Sequence, residues 1–201
     1  MLAESASSVL TPWSSFYVMA GSSAAALTGL MFVVITLVTG ERMPRSSDGV
    51  STFSTPTVVH FGVALLVSAM LSAPWRSLVH PGVLLGLTGL YGVFYIMNIG
   101  LRARRLTTYQ PDLEDWTWYT ILPFVAYGAI LAGGVLLPII PVNALFSLAG
   151  GVALLIFLGI RNAWDVVTFL AIGPRATADP DLVHENESAA VGKEDDEQHR
   201  D

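Results

Sequence analysis

Three ionisable side chains stand inside or beside long apolar runs: His60, Arg161 and Asp165. His60 lies in "PTVVHFGVALLVSAM", where an imidazole could relay a proton or hold a packing hydrogen bond. Arg161 and Asp165 lie in "FLGIRNAWDVVTFLAIG", four residues apart, so a helix puts them on one face where they can pair. An intramembrane enzyme would draw on these three groups. The competing reading is structural: a hydrogen-bonded histidine, and an ion pair marking where a helix leaves the bilayer.

The elements that must position them follow from composition. Hydrophobic residues make up 53% of the 201-residue chain and charged residues only 13%. Soluble domains carry about 25% charge, so the deficit indicates a surface that does not face water. Mean hydropathy is +0.59. Apolar runs near 20 residues recur, and at 1.5 Å of rise per residue each crosses a core of about 30 Å. The reading is an all-α integral membrane protein, a five-helix transmembrane bundle.

The spans are expected at about 16–39, 56–74, 82–101, 118–137 and 141–165, with an apolar extension to 173. Residues 1–15 form an extracytoplasmic segment, residues 16–173 the bundle and residues 174–201 a disordered acidic tail. From Asp179 onward nine acids oppose Lys193 and Arg200, leaving −7, without apolar periodicity to bury. The opening residues lack a basic segment ahead of the first apolar run, so the first span is expected to be retained rather than cleaved.

Arginine placement sets an orientation. Arg42, Arg45, Arg102, Arg104, Arg105, Arg161 and Arg175 flank span ends on one side, against Arg76 on the other. The positive-inside rule then puts the N-terminus outside and the C-terminus in the cytoplasm. Nine of the ten basic residues are Arg, a bias that suggests a bacterial source and hence an inner membrane. Arg102, Arg104 and Arg105 in "RARR" read as a stop signal that also favours anionic lipid.

With that orientation, His60, Asn98, Tyr119, Arg161, Asn162 and Asp165 gather as a candidate polar cluster near the cytoplasmic leaflet. His60 is placed about one turn inside its span. Trp116, Trp118 and Tyr119 read as interface anchors. Arg161 is expected to snorkel and to pair with Asp165, the two positioned by His60 or Tyr119.

Polar and small residues recur at helical spacing. Thr88, Tyr91, Tyr95, Asn98, Arg102 and Arg105 share one face of the third span, and His60, Ala64, Ser68 and Ser72 one face of the second. Gly21, Ala25, Gly29, Gly82 and Gly86 are candidate helix-packing positions, the last two forming a GxxxG in "GVLLG". Packing is the favoured reading of these stripes, with a polar path second.

The chain has no cysteine, and no Walker loop, HExxH, GxSxG or dinucleotide fingerprint. No catalytic residue, cofactor or metal is implied, and "RARR" beside "DLED" is too mixed for a nucleic-acid surface. The expected function is a non-enzymatic oligomeric membrane component or regulatory subunit. It would sit in the lipid bilayer as a homo-oligomer or with a membrane-protein partner. A small oligomeric channel or permease ranks second, and an intramembrane enzyme third.

Overall fold

The computed structural model describes residues 6–40, 47–103 and 116–172. Among the described residues every regular element is helical. A short α1 (Ala6–Leu10) and a 3-10 turn (Thr11–Trp13) lead into α2 (Ser14–Gly40). Then come α3 (Ser47–Ser72), α4 (Val79–Ala103), a π-helical turn (Thr117–Ile121) running into α5 (Leu122–Leu136), and α6 (Pro141–Ile172). The chain divides into two compact units, Met1–Ala163 and Trp164–Asp201.

Four helical stretches are long and apolar enough to cross a membrane: Ala6–Thr36, Val79–Leu101, Thr117–Leu136 and Pro141–Asp165. The apolar part of α3, Pro56–Ser72, is shorter. Two boundaries differ from expectation. The first apolar helical stretch starts at Ala6, where the expected span starts at 16. In the second, the helix begins at Ser47, so Pro56 lies inside it and not at its first turn. The tail from residue 173 onward, Arg104 and Arg105 lie outside the described residues, and Arg102 falls in the last turn of α4.

Local chemistry explains the breaks. Ser77 Oγ accepts from the Val79 N–H at 3.3 Å, capping the start of α4. Trp75 Nε1 donates to the Met70 carbonyl at 2.5 Å, folding the α3–α4 loop onto the end of α3. The α5–α6 link is a tight turn, in which the Ile139 and Ile140 N–H groups both donate to the Leu136 carbonyl at 2.9 Å. Pro123, one residue into α5, has no N–H to offer the Tyr119 carbonyl. The chain widens there, with the Leu122 N–H bonding to the Thr117 carbonyl in a π-type turn.

Glycines set how closely the helices approach. A Cβ on Gly134 would strike the backbone of Gly86 and Leu85, and one on Gly89 the backbone of Leu131. α4 and α5 therefore pack nearly backbone to backbone. Gly133 lies against Leu148 and the Ala144 carbonyl, and Gly151 against Ile130 and the Ala126 carbonyl, which closes α5 onto α6. Without hydrophobic drive between helices in lipid, such close contact and cross-helix hydrogen bonds hold a bundle together. Two such bonds are Tyr17 to the Leu145 carbonyl at 3.2 Å and Ser147 to the Ala129 carbonyl at 2.9 Å.

The core is apolar, and so is much of the outer surface. Thr57, His60, Ser68 and Asn162 are buried, while large apolar residues such as Leu30, Phe32, Leu87, Phe94, Val135, Phe146 and Phe157 are exposed. Several hydroxyls in the helices return to their own backbone, as Thr28 does to Ala24, Thr36 to Phe32 and Ser72 to Ser68. Satisfying polar groups within one helix is what a waterless surrounding demands.

Candidate functional site: a buried histidine–tyrosine pair

The buried face of α3 runs through Thr57, His60, Phe61, Ala64, Val67, Ser68 and Leu71, steps of three and four that form one side of a helix. Three of the seven are polar, so α3 turns its hydrophilic stripe inward. His60 is 1% exposed. Its Nδ1 lies 2.9 Å from the Tyr127 hydroxyl, and the two rings are tilted at 49° with centroids 5.7 Å apart. With the imidazole proton on Nε2, Tyr127 donates and Nδ1 accepts.

Neighbouring helices close the pair in. Gly92 of α4 leaves the room that the Tyr127 ring occupies, and Gly159 of α6 leaves the room for Phe61. Thr57 is fully buried one turn before His60.

Tyr127 is ten residues from Thr117 and nine from Leu136, near the middle of that apolar stretch. His60 is four residues into the apolar part of α3, Pro56–Ser72, and near the middle of the whole helix, which starts at Ser47.

The other residues of the expected cluster are placed as follows. Arg161 is half-buried, with its guanidinium carbon 4.2 Å from the centre of the Trp118 ring. Trp118 also meets Phe157, one turn before Arg161 on α6, with centroids 6.0 Å apart. Asn162 is buried and Tyr119 half-buried in the π-helical turn. Asn98 is exposed, and its Nδ2 donates to the Phe94 carbonyl at 2.9 Å. Asp165 belongs to the second unit, where its carbonyl and that of Trp164 accept from the Thr168 hydroxyl at 3.1 and 3.0 Å.

The packing positions divide. Gly21 faces the Ser68 Cβ at 3.0 Å. Gly82 lies against the Gly134 carbonyl and Pro138, and Gly86 against Val135. The GxxxG thus meets α5 of its own chain. Ala25 and Gly29 are exposed, and Gly29 has open space beside it.

Tyr127 is the partner that sequence reasoning left unassigned, and Trp118, read there as an interface anchor, is the ring that meets Arg161. Tyr127 sits in "LPFVAYGAILAGG" as one hydroxyl in an apolar run, 67 residues from His60, and no spacing rule connects the two. Among the described residues no group of three or more His, Cys, Asp or Glu could hold a metal ion. Comparison with protein-family models, with curated proteins and with solved structures gives no match.

Proposed function

We propose that this chain is a five-span inner-membrane protein with its N-terminus outside and its C-terminus in the cytoplasm. It is a non-enzymatic component that works as an oligomer or as a subunit of a membrane complex. The observation that carries this reading is the closed surroundings of His60. Its Nδ1 and the Tyr127 hydroxyl bond to each other, and Ile130 and Leu155, each fully buried, share one core cluster with Tyr127. With His60 only 1% exposed, a substrate would have to part the surrounding helices to reach it. An ion path through one copy would meet the same obstacle, so conduction would require a ring of copies.

α3 counts as the fifth span although its apolar part is 17 residues long. At 1.5 Å per residue this gives about 26 Å, and modest thinning of the bilayer or one further turn covers the difference.

The test is the mass and composition of the particle extracted in mild detergent. A multiple of the chain mass, or the chain with a stoichiometric membrane partner, is expected. A monodisperse single copy without companion, in native extract and after purification, would overturn the reading.

A further inference from the structure

Two polar residues of α4, Tyr91 and Asn98, lie on a line that points out of the bundle. Leu84, Leu87, Tyr91, Phe94, Asn98 and Leu101 are all exposed, and their spacing alternates between three and four residues. That is the 3.5-residue repeat along which two helices stay in continuous contact. Most of this line suits lipid. Two members do not.

Tyr91 is 64% exposed, twelve residues past Val79 and ten before Leu101, in the middle of the apolar stretch. Its ring stacks on Tyr95 with centroids 6.4 Å apart, but its hydroxyl has no hydrogen-bond partner among the described residues. Asn98 spends one amide proton on the Phe94 carbonyl. Its other proton and its acceptor oxygen are unbonded among the described residues. Thr88, on the same helix, returns its hydroxyl to the Leu84 carbonyl at 2.8 Å; the ring of Tyr91 holds its hydroxyl too far from the helix backbone to do so.

Hydrocarbon offers the Tyr91 hydroxyl no partner, so a polar protein surface must. Asn98, three residues from the end of the apolar stretch, keeps a free donor and acceptor on the same line. By contrast, the outward face of α5 presents Phe124, Val125 and Val135, which lipid accommodates.

The chemistry of the two groups selects the occupant. A phenol and a carboxamide each donate and accept, so each is complementary to itself. All copies insert with the same orientation, so a two-fold contact through a single helix must be parallel, with each seam residue opposite its own counterpart. Tyr91 and Asn98 are seven residues apart and hold the same position of the repeat. Asn at that position of a parallel pair sets register and partner number. From Leu84 to Leu101 the face has no charge to repel a second copy.

We propose that two copies of this chain associate in parallel through α4, with Tyr91 and Asn98 each paired to its own counterpart. This deepens the oligomeric reading above and rests on it.

The chain has no cysteine, so single-cysteine variants report without background. Leu87→Cys, Tyr91→Cys, Phe94→Cys and Asn98→Cys are oxidised in native membranes beside the α5 controls Val125→Cys and Val135→Cys. A doubled-mass product is expected from the α4 series and none from α5. Asn98→Leu in the cysteine-free chain should weaken dimerisation on detergent dilution by about threefold to twentyfold, the range for one hydrogen bond between membrane helices. Its unfolding temperature as a monomer should be unchanged, because the side chain is exposed.

A multimer in which the α4 series does not cross-link would place the interface elsewhere, overturning this proposal while the oligomeric reading stands. A single copy without companion overturns both. Cross-links from α4 to a different protein, or equal yield from the α5 controls, also overturn pairing with a second copy.

Discussion

His60 and Tyr127 bind each other across α3 and α5, 2.9 Å from imidazole Nδ1 to phenol oxygen, in the middle of a bundle whose outer surface is apolar. Each is the other's answer to burial. Removing one partner leaves the other unsatisfied where water does not reach, and that asymmetry governs the first expectation.

Tyr127→Phe should destabilise by about 1 kcal/mol, within the range for hydrogen bonds between membrane helices. The ring still fills the space beside Gly92, so packing is preserved. His60→Leu should cost a comparable amount, and the double variant less than the sum of the singles, because the second change removes an already unpaired group. Detergent melts of the four proteins measure the coupling. Additive losses would mean that the contact contributes nothing.

Gly134→Ala should cost about 1–3 kcal/mol, the usual range for overpacking. Its added methyl meets backbone of Gly86 and Leu85, which cannot rotate aside. Gly29→Ala, with open space beside it, should leave the melting temperature unchanged or raise it slightly through helix propensity. Equal effects at the two positions would contradict the close α4–α5 approach.

Arg161 over the Trp118 ring predicts a graded series. Trp118→Leu should cost about 0.5–2 kcal/mol, the span of exposed to desolvated cation–π contacts. Arg161→Lys should retain part of the stability, and Arg161→Ala should lose the most, because its stem also covers apolar surface. A melt in which Arg161→Lys and Arg161→Ala coincide would show that the guanidinium–indole contact, and not charge or stem, carries the whole effect.

Orientation is read with fusions. A phosphatase reporter after Asp201 should be silent, and one at Ser77, in the α3–α4 loop, should be active. The opposite pattern would reverse the proposed topology.

Run length and composition were enough to place the helices. Four of the five apolar runs became helices long enough to cross a membrane, and the prolines near 138 and 141 marked the tight turn between the last two. These features are local, because a backbone without water must close its hydrogen bonds within each segment. Pro56 misled the reading: its missing N–H fits a first turn, yet α3 runs through it from Ser47.

Which face of each helix turns inward was decided only by tertiary packing. The stripe of α3 and the stripe of α4 look alike in sequence, polar residues at steps of three and four. The first is buried, with His60 against Tyr127, and the second is exposed at Tyr91 and Asn98. The difference comes from where glycines allow backbones to meet. Gly82, Gly89 and Gly92 press one side of α4 onto α5, and Tyr91 and Asn98, on another side, are left outside. Periodicity names a face, but only the neighbouring helices determine what that face meets.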